Sequence, residues 1–146
     1  MPAQELPLEI ERKESEYGKA YGEAMKSHDY EKAERMLLSS WGVYPEPKHL
    51  WSSSKSLIKD IINFYLDRKS FQSAENWAGE LFKCNLLPND PKPYIILGKI
   101  YFESGRMALA EEQLVKAYEM GGRRGYVGED PKYIKFVLDN KKKSAQ

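Results

Sequence analysis

Residues 97–119 read LGKIYFESGRMALAEEQLVKAYE, and after Met120 the chain continues GGRRGYVGED over 121–130. In the first stretch apolar and small residues recur three or four apart, with one interruption at Ser104-Gly105. That period is the signature of a helix face, so the stretch predicts two amphipathic helices joined by a tight turn. Gly98, Gly105, Ala110 and Ala117 stand at regular places among the aromatics. Where the two helices of a hairpin cross, a contact poor in Cβ atoms lets the axes approach, while Tyr and Leu fill the groove beside it. Gly98 is therefore expected to face Ala110, and Gly105 suits the positive φ that a short turn needs.

Two further hairpins emerge upstream when the small residue of each second helix is used as the anchor. One contains SFQSAENWAGELF, residues 70–82, centred on Ala74; the other contains HDYEKAERMLLSSW, residues 28–41, centred on Ala33. The intervals are unequal, 41 residues from Ala33 to Ala74 and 36 from Ala74 to Ala110. The longer one holds GVYPEPKHLW, residues 42–51, where Pro45 and Pro47 break the helix and lengthen the connection. Downstream, the pair Gly121-Gly122 is expected to end its helix in a left-handed cap, with RRGYVG as a loop. In DPKYIKFVL, Asp130 takes the N-cap and Pro131 the first helical position. A stack of hairpins exposes an apolar face at its end, and Tyr133, Ile134, Phe136 and Val137 are placed to cover it. The resulting plan is a flexible tail over 1–7, a single domain over 8–140 and a frayed basic tail over 141–146. Its hairpins span 9–42, 54–85 and 91–121, and its capping helix spans 130–140.

The run Leu97-Gly98-x-x-Tyr101, Gly105, Ala110, Leu114 and Ala117 resembles the consensus of the tetratricopeptide repeat, whose unit is about 34 residues. The middle hairpin keeps Ile61-Ile62-x-x-Tyr65, Phe71 and Ala74, and the first keeps Ala20-Tyr21-x-x-Ala24, Tyr30 and Ala33. The resemblance covers residues 14–121 and implies an all-α fold, a right-handed superhelical stack of three hairpins with a capping helix. It also implies a concave face lined by the first helix of each hairpin.

Composition narrows the function. The 146 residues suffice for one core without metals or disulfides. Lys plus Arg is 23 and Asp plus Glu is 22, a balance that argues against a dedicated nucleic-acid binder. Charge is uneven along the chain: residues 1–36 hold six bases and nine acids, while residues 121–146 hold seven bases and three acids. An RNA-binding helical repeat stays open on that basic end, which also steers acidic partners. The lone Cys84 points to a reducing compartment, and no stretch reads as a signal peptide or membrane anchor, so a cytoplasmic protein is expected.

Little in the sequence speaks for catalysis. His28 and His49 are separated by 21 residues with no metal or nucleophile spacing around either. His28 reads as an exposed turn residue and Asp29 as a helix start. Gly122, Gly125 and Gly128 are three apart, unlike either phosphate-binding glycine pattern, and come after a helix. Cys84 reads as a small buried hydrophobe. No cofactor, metal or catalytic residue is expected, and the chain is read as a non-enzymatic protein-binding module.

Projecting the repeat frame onto the sequence selects the partner-binding candidates. They are Gly18, Gly22 and Met25 from the first hairpin, Lys59, Asn63 and Leu66 from the second, and Lys92, Ile95, Lys99 and Phe102 from the third. Gly18 and Gly22 leave a bare strip for close approach, and Lys59, Lys92 and Lys99 are expected to make the groove basic and favour an acidic partner. The carboxylate clamp of co-chaperone repeats is mostly missing: its positions read Gly18, Gly22, Asp60, Lys92 and Ile96. Residues 117–136, AYEMGGRRGYVGEDPKYIKF, are similar to the C-terminal segment of small tetratricopeptide-type immunity proteins of bacterial polymorphic toxin systems. That likeness implies a cytoplasmic protein that neutralises a cognate toxin domain by occlusion, using the concave face and a loop of Arg123, Arg124 and Tyr126. Phe102 or Tyr126 would be the buried anchor. The alternative within binding proteins is an adaptor or secretion-type chaperone holding an extended peptide.

Overall fold

Three turns of one geometry organise the chain. At Ser27-His28-Asp29, Arg68-Lys69-Ser70 and Ser104-Gly105-Arg106 the middle residue has positive φ, 59°, 58° and 81° respectively. The next residue's N–H reaches back over the helix end each time: Asp29 to the Ala24 carbonyl at 2.8 Å, Ser70 to Tyr65 at 2.8 Å and Arg106 to Tyr101 at 2.9 Å. This left-handed closure satisfies carbonyls that the helix end would leave orphaned and sends the chain back antiparallel.

In a computed structural model that describes residues 4–144, these turns join the two helices of each hairpin, and the described residues form seven α-helices. They are α1 (Leu8–Lys26), α2 (Tyr30–Gly42), α3 (Ser54–Asp67), α4 (Phe71–Leu81), α5 (Lys92–Glu103), α6 (Met107–Gly121) and α7 (Pro131–Ser144), with short 3-10 helices at Lys48–Leu50 and Gly122–Tyr126. No strand occurs among the described residues; Gln4 and Trp51 form an isolated bridge. The fold is thus an all-α, helical repeat-like one. α1 packs on α2, α3 on α4 and α5 on α6, and successive hairpins meet through α2 with α3 and α4 with α5.

The anchor alanines do what their spacing predicts. Ala33, Ala74 and Ala110 each have 0% exposure. Gly98 departs from expectation: a Cβ built there would stand 2.5 Å from Cγ of Leu114, so the glycine faces Leu114, one helical turn beyond Ala110. One core joins the first two hairpins and extends to Ile100; a second joins α5 and α6 to Tyr126, Tyr133 and Val137.

The glycine pair ends α6 differently from a left-handed cap. Gly122 has φ 58° and ψ −153°, a region open essentially to glycine. Cβ atoms at Gly121 and Gly125 would lie 2.8 and 3.0 Å from Cγ of Pro91, so these glycines also let the segment close against the start of α5. The expected loop is a 3-10 helix, and Asp130 caps α7 by accepting from the Lys132 amide at 3.0 Å. Tyr133 and Val137 are buried against the third hairpin, as a cover requires.

Both ends differ from the expected tails. Of the N-terminal tail, residues 1–3 lie outside the described residues; Leu6 joins the first core, and the Gln4 carbonyl accepts from Ser52 N–H at 2.7 Å. At the other end α7 continues four residues past 140, and residues 145–146 lie outside the described residues. The proline-rich connection is fixed by its own polar contacts: Trp51 Nε1 donates to the Pro45 carbonyl at 2.8 Å, and the Glu46–Pro47 peptide is cis.

Candidate functional site

Along α3, Ser56, Asp60, Asn63 and Asp67 fall at helical spacing opposite the buried Ile58, Ile61, Ile62 and Tyr65. This polar stripe forms the floor of a hollow made of two cavities. The first, about 460 Å³, lies between α1, α2 and α3, with Glu14, Gly18, Tyr21, Ser40 and Asp60 among its walls. The second, about 530 Å³, lies between α3, α5 and the start of α7, with Asn63, Asp67, Lys99, Glu103, Glu129 and Tyr133 among its walls. The first helices of the hairpins therefore face the hollow.

Of the residues selected from the sequence, Gly18, Asn63, Leu66 and Lys99 line it. A Cβ at Gly18 or Gly22 would meet nothing within 4 Å, so the bare strip on α1 is open. Met25 packs half-buried against the first core. Ile95 is fully buried, and Phe102 is half-buried between Tyr133 and Phe136, with ring centroids at 5.2 and 5.3 Å. Tyr126 is buried, its hydroxyl donating to the Leu114 carbonyl at 2.6 Å. Neither aromatic is a free anchor: Phe102 ties the third hairpin to α7, and Tyr126 ties the second 3-10 helix to α6. Arg123 and Arg124 are exposed, and Arg123 lines a separate cavity of about 580 Å³ with Ile134, Leu138 and Lys141.

The expected basic groove is corrected most clearly. Lys99 Nζ lies 2.8 Å from Glu129 Oε1, and Lys92 Nζ donates to the Gly125 carbonyl at 2.8 Å with Glu129 Oε2 at 3.8 Å. Lys59 sits on another flank of α3, where its charge bears on the buried Cys84 thiol. Glu129 arrives from thirty residues downstream of Lys99, so no reading of one helix could have supplied it. Across the two cavity linings there are six carboxylates and two lysines, Lys69 and Lys99, which makes the hollow acidic.

Titration behaviour agrees with that sign. Burial, and then the charges of Asp60 and Asp67, raise the Tyr21 hydroxyl above its ordinary range. Tyr44 is raised further, by burial first and then by the Glu14 carboxylate beside it, while its hydroxyl shares a hydrogen bond with Ser53 at 2.7 Å. Asp60 is exposed, yet partial desolvation by the walls around it raises it, with no cation opposing the shift. At the other end burial works to raise Glu103, but hydrogen bonds from Lys132 at 2.6 Å and Tyr133 at 2.9 Å outweigh it and hold the carboxyl low. An acidic hollow suits neither a phosphate backbone nor an acidic peptide.

Other chemistry-bearing groups are structural. His28 is exposed in its turn; His49 Nε2 lies 2.6 Å from Glu80 Oε2 and ties the proline-rich connection to α4. Burial pushes the Cys84 thiol up to about 11, which keeps it protonated and unreactive at neutral pH. Among the described residues no group of three or more His, Cys, Asp or Glu is arranged to hold a metal ion, and no helix is long and apolar enough to cross a membrane. Sequence reasoning misses Glu14, Asp67, Glu103 and Glu129 as parts of the site. The α3 stripe is legible as a polar period, whereas the wall opposite it requires tertiary placement. Compared with protein-family models and with curated proteins, the chain gives no match.

Proposed function

We propose that this chain is a non-enzymatic, tetratricopeptide-like protein-binding module that seats part of a partner protein in the hollow along α1, α3 and α5. The observation that supports this most is the alignment of two cavities along one polar face of α3. The 14 residues of α3 rise about 21 Å, the reach of roughly six extended residues. A volume of that shape fits a strand or protruding loop better than a compact metabolite.

Within this class the chain acts as an immunity protein that neutralises a toxin domain by occlusion. The likeness of residues 117–136 to immunity proteins supports that reading. So do the exposed Arg123, Arg124 and Val127, the last 75% exposed, which precede Gly128 and Glu129 of the second cavity's wall in the chain. The elongated hollow equally favours an adaptor that holds an extended peptide, which is the second reading.

Titration calorimetry against a toxin domain encoded beside this gene tests the choice. One-to-one nanomolar binding to the folded domain, with stoichiometric loss of its activity, is the expected result. If no such domain is encoded there, and extended peptides bind at micromolar level instead, the adaptor reading replaces it.

A further inference from the structure

The two ends of the hollow are electrostatically unequal. Around the second cavity two of the four carboxylates are held by cations, Glu129 by Lys99 and Glu103 by Lys132 with Tyr133. The first cavity has Glu14 and Asp60 in its lining and no lysine, arginine or histidine. Glu14 Oε2 shows less than 1 Å² to solvent and has no charged partner; the donor beside this carboxylate is the Tyr44 hydroxyl, which Ser53 shares at 2.7 Å. A carboxylate taken from water and served by one shared neutral hydroxyl is under-compensated, and an arriving charged donor recovers that loss. Asp67, two turns along α3 from Asp60, carries the same sign into the second cavity.

We propose that the hollow takes a basic extended segment of the partner protein, with one lysine or arginine side chain entering the first cavity between Glu14 and Asp60. This inference rests on the protein-binding reading above and reverses the acidic partner that the groove lysines suggest. The ammonium or guanidinium donates to the two carboxylates; the hydroxyls of Ser40 and Ser53 lie in the same lining for remaining N–H groups, and the Tyr21 ring flanks the stem. The occupant is a chain segment and not a free small cation, because the same face of α3 lines both cavities, Ser56 and Asp60 the first and Asn63 and Asp67 the second. An acidic segment would meet unpaired carboxylates of its own sign along the whole floor.

Hexapeptide pools fixed at a central Arg, Lys, Ala or Glu, followed by fluorescence anisotropy on the full chain, supply the test. The Arg and Lys pools should bind at least about tenfold more tightly than the Ala and Glu pools, the gain of one charge-assisted contact. Glu14→Gln/Asp60→Asn should lower them to the Ala level. Glu9→Gln/Glu16→Gln, which removes two exposed charges from the opposite face of α1, should leave them unchanged. Gly18→Leu fills the cavity without touching charge, since a side chain there has open space, and should abolish binding of every pool. If the double variant melts, Asp60→Asn alone, at an exposed place on α3, carries the test. Preference for the Glu pool, or equal losses in the two charge variants, overturns the cation seat; if Gly18→Leu still abolishes binding, the protein-binding reading survives. Binding that Gly18→Leu leaves intact overturns both.

Discussion

The second and third hairpins bury one pair of equivalent positions with the sizes exchanged. On α5 and α6 the pair is Gly98 and Leu114; on α3 and α4 it is Ile62 and Ala78, at 0% and 1% exposure. These two hairpins therefore fill a similar volume at this position and differ in which helix supplies it. Ala33, Ala74 and Ala110, one turn earlier in the second helix, stay small and fully buried in all three hairpins. In the first hairpin the corresponding pair is Tyr21 and Leu37, both large, and Tyr21 is only half-buried, with its ring lining the hollow.

Exchanging the sizes in the third hairpin is the strongest way to break this equivalence. Leu114→Ala leaves a cavity in the second core and should cost about 3 kcal/mol. Gly98→Ile drives a side chain into Leu114, where even a Cβ would stand at 2.5 Å, and should cost about as much. Combined, the two reproduce the arrangement of the second hairpin, and urea denaturation should show a coupling energy of about 2 kcal/mol or more. Simple addition of the two losses would mean that the hairpins pack by different rules.

A smaller contrast lies in the turns. Lys69 and Gly105 occupy the same left-handed place with φ 58° and 81°, but only glycine does so without a Cβ penalty. Gly105→Lys should lower stability by about 1 kcal/mol. Lys69→Gly should raise it by less than about 1 kcal/mol, because glycine also loosens the unfolded chain. Opposite signs in thermal melts of the two variants confirm one turn geometry; a loss in both would show that the Lys69 side chain contributes more than its strain removes.

These contrasts mark how far the sequence can be read. Periodicity locates the helices, the anchor alanines and the Asp130-Pro131 start of α7, because each depends on residues a few places apart. It assigns Gly98 to Ala110 when the partner is Leu114: a period reveals the face of a helix but not which turn of its neighbour lies opposite. Tyr126 reads as part of an open loop, yet the approach of Gly121 and Gly125 to Pro91 folds that segment inward and buries the ring. The charge of the hollow is misread for the same reason on a larger scale. Lys92 and Lys99 are basic in the sequence and neutralised in the fold, because Glu129 returns to them through α6 and the 3-10 helix.

Acid should separate the second and third hairpins with the smallest effect. Glu103, near the end of α5, is held below the ordinary glutamate range, so the folded protein binds fewer protons there than the unfolded chain. Its contribution is therefore present above the ordinary range and lost as pH falls from that range through the depressed value. Glu103→Gln should flatten the fall of Tm across that window. At neutral pH it should cost only about 0.5 kcal/mol, since Lys132 is 45% exposed in this pair and water screens it. Asp60 on α3 has the opposite sign: partial desolvation raises it, so the folded protein favours its neutral form and stability rises as pH falls through that raised value. Asp60→Asn should therefore melt slightly higher than the parent at pH 7 and lose that advantage in acid. A variant that instead melts lower at pH 7 would show that the Asp60 carboxylate holds an internal donor, and the unpaired end of the hollow would no longer differ from the paired one.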